Sequence, residues 1–347
     1  MSFNFELLNY ESLKENDSFI DFSYKSIFTT VEWLAFIERD QKHLTPIVLQ
    51  ILKGERLIGY FCSFLFKKAG LKIIGSPFRG WSTCYMGFNL NPEIDVFSVL
   101  PFLKDFLFNN FSCHFIEIVD SAISLDRAII HDYYARPEGT LLLDIDKTDQ
   151  ELFKIFKVDC RNYIRQFEKK GAVCEISSSS DSFVEDYYSQ LMDVFAKQNM
   201  LPTYTLEKVR LLVSTIAPSN ILCLRVFTPD HSLCIASSIF LGYNGIFYFW
   251  GCASLREYQK YRPNEYMIWT AIQYWRNKGY KLFDMVGIRD YKKKFGSHES
   301  SYTRIIIPKY KALIYIRDCA EKLYFFKLNI EYKAKNILCY FLKTKSY

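Results

Sequence analysis

Two short apolar runs, Ile246–Gly251 and Lys281–Gly287, bracket the most regular hydrophobic pattern of the chain. Each run is only a few residues long, and the first is rich in aromatic residues, which predicts two buried strands. Between them, apolar residues recur at three- and four-residue steps and predict a helix that begins at Pro263. The apolar positions of this helix are Met267, Ile268, Ala271, Ile272 and Trp275. Because a helical crossover makes its two strands parallel, the segment predicts a strand–helix–strand unit of an α/β fold.

The rest of the chain gives two similar successions of elements. Helices are predicted after Thr30 and at 95–108, 149–170, 181–198 and 205–217. Strands are predicted at 46–52, 57–66, 71–74, 115–119, 140–145, 221–227 and 234–241. A helix, several strands, a helix and a strand occupy the chain up to residue 145, and the same order recurs after it. We therefore expect two copies of one α/β unit with a boundary near residue 145.

Composition agrees with a folded, two-domain protein. The chain has 347 residues, of which 50% are hydrophobic and 18% aromatic, and this is more than one compact core usually holds. It contains no run of eighteen apolar residues, and its first residues are partly acidic, so we expect neither a transmembrane helix nor a signal peptide. Ten scattered cysteines without a C-x-x-C pair, together with only five histidines, favour a reduced, cytoplasmic protein without a metal.

Positive charge is concentrated near the C-terminus. The net charge is +6, and ten Lys and Arg stand against three Asp and Glu from Ser301 onward. Of totals of 44 and 38, this leaves 34 basic and 35 acidic residues elsewhere, so no DNA-binding surface is predicted. Residues 310–347 are predicted to form a basic amphipathic helical tail. Such a tail either covers the core with a solvated basic face or docks on anionic lipid, peripherally at the inner face of the membrane.

The N-terminus of the helix at Pro263 is a candidate anion site. Its free backbone N–H groups attract phosphate or carboxylate, and Arg262 adds a fork-shaped cation beside them. Strand–helix–strand units also occur in folds that bind no phosphate, so the spacing alone leaves both interpretations open.

Two upstream segments are further candidates. The loop 75–83 combines glycine, proline, Arg79 and Trp81, and it predicts either a substrate wall or a turn whose aromatic residues fold back on the core. Arg161 and Arg165 lie one helical turn apart in a basic stripe. The stripe is either a solvated helix face or a surface that faces phosphate.

Three short motifs near the second strand point to a known family. Residues 261–269 read Tyr-Arg-Pro-Asn-Glu-Tyr-Met-Ile-Trp, Phe283-Asp284 follows, and then Tyr291-Lys292-x-x-Phe295-Gly296. This succession resembles the C-terminal signature of the Fem-like branch of the GNAT acyltransferases. The resemblance implies two tandem GNAT-like domains, each a mixed central sheet flanked by helices, at 1–145 and 146–309. The tail at 310–347 would follow them.

The same resemblance implies roles for individual residues. It places Lys292 at the transfer step, where a cation stabilises developing negative charge, although a solvated lysine run is the alternative. Asp284 would act as a base or orient the acceptor amine, or else it caps a neighbouring backbone group. The donor would lie along the strand at Trp250 and Gly251, with its phosphates near Arg262 and Asn264. The remaining candidates, for substrate binding, are Arg79, Trp81, Arg161, Arg165 and Tyr258.

The expected function is that of an acyltransferase. It would move an acetyl group from acetyl-CoA, or another acyl group from its coenzyme A thioester, to an amino group of a sugar or cell-surface glycan precursor, free or lipid-linked. One alternative is a Fem-type transferase that uses aminoacyl-tRNA and a peptidoglycan precursor. The other is a non-catalytic partner in glycan assembly at the membrane surface. The chain departs from GNAT proteins because it has no glycine between Leu255 and Asn264, where the pyrophosphate loop should lie.

Overall fold

A computed structural model describes residues 2–15, 20–22, 25–68, 70–196, 200, 202, 204–319 and 322–323. Within these ranges one mixed sheet is flanked by helices on both faces. Its strands are β1 Asn4–Leu7, β2 Thr45–Lys53, β3 Arg56–Lys68, β4 Leu71–Ser76, β5 Gly87–Leu90, β6 Phe115–Asp120, β7 Tyr134–Asp144, β8 Val173–Ser177, β9 Ile221–Phe227, β10 Cys234–Tyr243, β11 Ile246–Ser254, β12 Leu282–Asp284 and β13 His298–Pro308. The helices are α1 Tyr10–Glu15, α2 Val31–Asp40, α3 Val96–Phe111, α4 Leu125–Ile130, α5 Asp149–Ile155, α6 Val158–Lys170, α7 Asp181–Ala196, α8 Leu206–Thr215 and α9 Pro263–Asn277.

The sheet consists of two similar halves that exchange one strand each. Its order is β1-β2-β3-β4-β6-β13-β7-β12-β11-β10-β9-β8, with β5 paired to β3. β4 and β6 are parallel in one half, and β11 and β12 are parallel in the other. β7 follows β6 in the chain but pairs with β12, whereas β13 follows β12 but pairs with β6. β7 and β13 also pair with each other, so the two halves share one continuous sheet.

This topology confirms the α/β class and the tandem GNAT arrangement. The strand–helix–strand unit at 246–287 is present, and its two strands are parallel as predicted. The boundary near residue 145 stays a prediction, but β13 means that the sheet of the first half is completed by a late segment of the chain. Of the predicted tail, residues 312–319 are helical, and the chain after Leu323 lies outside the described residues.

Side-chain caps explain several helix starts. The Thr30 hydroxyl accepts from the backbone N–H of Trp33 at the start of α2. Asp95 does the same for Phe97 at α3. Thr148 and Glu151 form a reciprocal capping box at α5. These contacts satisfy backbone donors that a helix start otherwise leaves without partners.

The helix predicted at 149–170 is wrong as a single element. The chain is extended at Phe156, which separates α5 from α6. The Phe156 ring is buried against Trp269 and Phe295, and the backbone N–H of Lys157 donates to the carbonyl of Lys294 at 2.8 Å. Burial of an aromatic ring and a long-range backbone bond therefore outweigh local helix propensity.

Three buried clusters fill the two faces of the sheet. The first cluster contains Phe28, Trp33 and Tyr248 together with buried residues of α2, α7 and α8. The second contains α6 and α9 with Phe283. The third packs α3 under β4 and β6. The first and second clusters meet where β11 and β12 separate, and this is the region of the candidate site.

Candidate active site

β11 and β12 pair only at their beginnings. The parallel register joins Ile246 to Leu282 and ends with Tyr248 opposite Asp284. β12 then stops, while β11 continues to Ser254 against β10. Along this stretch, β11 has a strand partner on one side only within the described sheet. The two strands therefore separate after Tyr248, and we call the space between them the β11–β12 gap.

A β-bulge marks the same point of β11. Ile239 of β10 faces Gly251 and Phe240 faces Phe249, so Trp250 has no partner across the ladder. Bulges bend a strand and re-aim its side chains, and they occur frequently beside active sites. The Trp250 indole N–H is buried and makes no hydrogen bond in the structure.

Asp284 is a buried carboxylate at the end of β12. Its Oδ1 accepts from the Thr140 hydroxyl on β7 and from the backbone N–H of Val286 at 2.8 Å. Its Oδ2 accepts from the Tyr85 hydroxyl at 3.3 Å, and that hydroxyl lies 3.2 Å from the hydroxyl of Tyr248. Burial raises the pKa of Asp284, and these hydrogen bonds and the charge of Lys292 only partly oppose it. A carboxylate with a raised pKa suits proton transfer near neutral pH.

Lys292 is also buried, with 5% of its surface exposed. Its ammonium donates to the carbonyls of Met285 and Val286, the latter at 2.7 Å, and lies 4.9 Å from the centre of the Phe249 ring. Burial lowers the pKa of Lys292 to about 8. The alternative of a solvated lysine run is therefore wrong for Lys292.

The neighbouring lysines have other partners. Lys293 is partly exposed and pairs with Glu299 at 2.7 Å. Lys294 pairs with Glu265 of α9. Only Lys292 of the three faces the gap between β11 and β12, so its burial gives it an environment that neither neighbour shares.

Asp284 and Lys292 flank the gap from opposite faces of the sheet. Asp284 contacts Tyr85 and Tyr248, which belong to the first cluster. Lys292 lies against Phe249, which belongs to the second. The charge of Lys292 lowers the pKa of Asp284, and the charge of Asp284 raises the pKa of Lys292, in each case against the larger effect of burial.

The start of α9 contains the predicted donor-binding residues. Arg262 has a positive φ of 61° and stacks on the Tyr163 ring at 4.1 Å, and its buried Nε lacks a hydrogen-bond partner. α9 begins without a side-chain cap. The side-chain Oδ1 of Asn264 accepts from the Cys252 thiol at 3.3 Å. The start of α9 thus has donors that an anion would satisfy, and the charge of Glu265 in its first turn is offset by Lys294.

Gly251 lies on the stretch of β11 that has lost β12 as a partner, and Tyr258 lies in the 3₁₀ helix that follows β11. A Cβ on Gly251 would come within 2.1 Å of the Tyr187 hydroxyl oxygen, so glycine is needed for that close approach. Tyr258 stacks on Tyr261 with ring centres 6.4 Å apart and is partly buried against the second cluster. Their contacts with a ligand stay predictions.

Trp81 and Arg79 in the loop 75–83 have different environments. Trp81 is buried and packs edge-on against Phe64 and Phe66, which agrees with the interpretation that the loop folds back on the core. Arg79 is exposed and lies 3.6 Å from Glu138. A role of Arg79 in substrate binding stays a prediction.

Arg161 and Arg165 lie beside the break between α5 and α6. The Arg161 guanidinium donates to the carbonyls of Phe153, Lys154 and Phe156 and so closes the end of α5. Arg165 lies 5.6 Å from the Phe153 ring. Both line a surface cavity of about 520 Å³, and none of its lining residues belongs to the β11–β12 gap. A phosphate contact there stays a prediction.

No sequence pattern marks most of the residues that surround Asp284. Tyr85, Thr140 and Tyr302 come from a loop and two strands distant in sequence, and Tyr85 and Tyr302 stack edge-on 5.2 Å apart. The predicted loop at 75–83 lies next to one of these residues in the chain, because Tyr85 follows its end by two residues. A group of three or more His, Cys, Asp or Glu side chains that could hold a metal does not occur among the described residues.

The first half contains a counterpart of the site that its own chain fills. Asp120 ends β6 as Asp284 ends β12, and it likewise accepts from the N–H two residues on, at 2.7 Å. It also accepts from the Phe88 N–H at 2.7 Å, and a Cβ on Gly87 would lie 2.2 Å from its Oδ2. The segment around Gly87 therefore occupies this counterpart position beside Asp120, whereas side chains of Tyr85 and Thr140 contact Asp284.

Comparison with known proteins agrees with this geometry. Residues 156–294 match the profile of the acetyltransferase (GNAT) domain. No curated protein is detectably similar to the chain in sequence. Among solved structures, FemX superposes with a TM-score of 0.68 at 12% identity over 86% of this chain and 96% of its own. A tandem GNAT protein from the clavulanic acid biosynthesis pathway gives 0.52 at 9% identity, over 88% and 98%.

Residues 156–294 therefore form an acetyltransferase (GNAT) domain, and the chain is an acyltransferase. Its fold is the one that FemX and the tandem GNAT protein share. In the part of the chain that the structure describes, no helix has the length and apolarity to cross a bilayer.

Proposed function

We propose that the protein transfers an acetyl group from acetyl-CoA to the amino group of a sugar or cell-surface glycan precursor. The observation that carries the proposal is the buried Asp284 carboxylate at the β11–β12 gap, faced by Lys292 from the other side. Acyl transfer to an amine requires removal of a proton from nitrogen and stabilisation of negative charge on the acyl oxygen. The two residues match these two requirements.

The acceptor side is formed by Asp284 and the tyrosines around it. Oδ1 of Asp284 is held by two donors, which leaves Oδ2 with the longer contact to Tyr85. Oδ2 is therefore the oxygen that accepts the proton of the attacking amine, directly or through the Tyr85 hydroxyl. Tyr248 and Tyr302 pack against Tyr85 and extend its aromatic surface. The tyrosine rings suit the apolar face of a sugar, and their hydroxyl groups suit its polar edge.

The donor side is formed by Lys292 and the unpaired edge of β11. The ammonium of Lys292 is fixed by two carbonyls and supplies positive charge in a site of low dielectric, where such a charge has its largest effect. Backbone groups of β11 after Tyr248 have no strand partner on this side within the described sheet. They are candidate donors to the acyl oxygen.

The start of α9 fits a phosphate group of the donor. The Nε of Arg262 is buried without a partner, and the first N–H groups of α9 lack a side-chain cap. Arg262, together with the backbone at Asn264, would hold such a phosphate. When bound, acetyl-CoA supplies an acyl group already activated as a thioester.

A second candidate donor is aminoacyl-tRNA with a peptidoglycan precursor as acceptor. The observation that favours it is the segment between β11 and α9, which forms a 3₁₀ helix, Arg256–Tyr261, without any glycine. Side chains in this segment restrict how closely a pyrophosphate can approach the backbone. Both donors carry phosphate, so the site at α9 alone does not separate them.

Ligand-induced stabilisation distinguishes the two donors. Acetyl-CoA should raise the melting temperature of the full chain, and Arg262→Met should weaken this shift. Arg256→Met is the matched control, because Arg256 is exposed on the adjacent 3₁₀ helix. Stabilisation by aminoacyl-tRNA with no shift from any acyl-CoA would reject the coenzyme A donor.

The carboxylate has a matched control in the first half. Asp284→Asn should lower kcat by about a hundredfold, since general base catalysis contributes roughly that much or more. Asp120→Asn changes a similarly buried carboxylate at the corresponding strand end and should leave kcat unchanged. Equal losses in both variants would indicate a structural role for Asp284 and contradict the proposed mechanism.

A further inference from the structure

The chain turns after β12 at a residue that is poorly suited to its backbone conformation. Val286 has a φ of 52°, in the left-handed region, and Gly287 follows with a φ of 77°. Glycine adopts this region freely, whereas a β-branched side chain in it is strained. Among the non-glycine residues with a positive φ in the described ranges, Val286 is the one β-branched residue. Strained residues persist where their surroundings determine their conformation, and they cluster at active sites.

One peptide group at this turn lies between the two charged residues of the candidate site. Its N–H belongs to Val286 and donates to Oδ1 of Asp284 at 2.8 Å. Its carbonyl belongs to Met285 and accepts from the ammonium of Lys292. The positive end of the peptide dipole therefore points at the carboxylate, and the negative end points at the ammonium. The same peptide group stabilises both charges.

Two further contacts fix this peptide group. The carbonyl of Val286 also accepts from the Lys292 ammonium, at 2.7 Å. In an extended strand the carbonyls of neighbouring residues point to opposite sides, so the left-handed conformation of Val286 brings both carbonyls to one ammonium. The N–H of Met285 donates to the carbonyl of Leu141 on β7 at 2.9 Å, which attaches the turn to the sheet. The hydrogen bonds to Asp284 and Lys292 thus account for the strained conformation.

Other polar groups around the pair stay neutral near pH 7 or carry a fixed charge. The titratable and charged groups that face Asp284 or Lys292 are Cys84, Tyr85, Tyr248, Tyr302, Tyr291 and Arg289. Burial raises the pKa of the thiol and of each of these tyrosines, so they stay uncharged. Burial lowers the pKa of Lys292, and the fixed positive charge of Arg289 adds to this effect. Near neutral pH, the peptide group therefore acts on the charges of Asp284 and Lys292.

We propose that the peptide group between Met285 and Val286 positions Asp284 and Lys292 and couples their charges. A hydrogen bond at one end of a peptide group polarises it and strengthens the bond at the other end, so each charge favours the other. The ammonium of Lys292 has three N–H donors, of which two bind carbonyls. The third N–H and Oδ2 of Asp284 are left to act on substrates. This catalytic part rests on the proposed function, whereas the coupling is a property of the free protein.

Replacing one backbone amide by an ester tests the proposal in the full-length protein. The α-hydroxy analogue of valine at position 286 removes the N–H, makes the Met285 carbonyl a weaker acceptor and keeps the side chain. Without substrate, the pKa of Asp284 should rise and the pKa of Lys292 should fall, because each charged form loses stabilisation. NMR titration of labelled aspartate and lysine side chains measures both, with Asp284→Asn and Lys292→Met to assign the signals. In turnover, kcat should fall about tenfold or more, with a smaller change in KM.

The same replacement at position 122 is the matched control. The N–H of Ala122 donates to Oδ1 of Asp120 at 2.7 Å, which is the corresponding bond of the first half. The control ester should leave kcat and the titration of Asp284 and Lys292 unchanged. Unchanged titration in the ester at position 286 would overturn the proposal, as would equal shifts in the two esters. Shifted titration with an unchanged kcat would support the coupling and contradict the positioning role in transfer.

The unmodified protein gives an independent measurement. The amide ¹⁵N shift of Val286 should titrate twice, once with Asp284 and once with Lys292, because the peptide group contacts both. In Lys292→Met the step at alkaline pH should disappear, whereas the acid step should remain. A Val286 amide that follows Asp284 alone would refute the coupling, whether or not the ester variant folds.

Discussion

Turnover should fall above about pH 8, because Lys292 then loses the charge that acts on the acyl oxygen. Burial lowers its pKa from 10.5 to about 8, so roughly nine-tenths of Lys292 is protonated at pH 7 and about one-tenth at pH 9. We expect kcat to decrease about tenfold between these pH values. Lys292→Arg should remove this alkaline limb, since a guanidinium stays charged, but with a lower plateau because its planar fork places the charge differently.

The assay is steady-state turnover from pH 6 to 10 with the true donor and acceptor at saturation. Lys293→Met is the control, since ion pairs with Glu299 and Asp290 raise the pKa of Lys293 and keep it charged in this range. Its profile should match wild type, whereas Lys292→Met should lower kcat more than it raises KM. An alkaline limb that persists unchanged in Lys292→Arg would refute the assignment.

The same pKa shift has a consequence for stability that needs no substrate. The pKa of Lys292 is lower in the folded than in the unfolded chain, so the unfolded state binds more protons between pH 8 and 10.5. The contribution of Lys292 to the free energy of unfolding should therefore rise with pH across this window, and the full cost of burying its charge, about 3 kcal/mol, is present below pH 8. In denaturant unfolding, Lys292→Met should exceed wild type in stability below pH 8, and this difference should shrink as the pH rises to 10.5.

Three further substitutions test the surroundings of the candidate site and the pairing of β6 with β13. Tyr85→Phe should move the acid limb of the pH–rate profile to higher pH, since a hydrogen bond that lowers the pKa of the neighbouring carboxylate is lost. Gly251→Ala should lower the free energy of unfolding by about 2 kcal/mol in a denaturant titration, because the new Cβ overlaps the Tyr187 hydroxyl. Glu117→Gln should lower it by about 3 kcal/mol, since it leaves a buried Arg304 without its main charge partner.

Local pattern predicted the elements with a strong apolar signal of their own. The strand at 221–227 has the predicted limits, and α9 begins at the predicted Pro263. The strand is a short apolar run that is buried on both faces, and α9 buries one helical face against the sheet. The sequence pattern does not predict β13. The apolar residues of this strand lie only in its second half, and its first residues, His298 to Ser301, are polar. They are accommodated only because β7 from the other half lies beside them.

The sequence singled out the candidate residues of the second half better than those contributed by the first half. Lys292, Asp284 and Arg262 lie within one contiguous segment, where spacing and resemblance both apply. Tyr85 and Thr140 reach Asp284 only through long-range pairing. Contacts between residues far apart in the chain produce no periodic pattern of apolar residues, so they are not predictable from the pattern of one sequence.

Strand exchange gives a physical reason why the site lies where it does. Each half contains a parallel pair that would diverge, but the segment at Gly87 fills the space beside Asp120 in the first half. The residues just before that segment include Tyr85, which reaches Asp284 in the second half. Because β7 carries Thr140 to the same carboxylate, two contributions of the first half converge on the gap of the second. In the first half a segment of the chain fills the space beside Asp120, and the same half supplies Tyr85 and Thr140, which contact Asp284 in the second half.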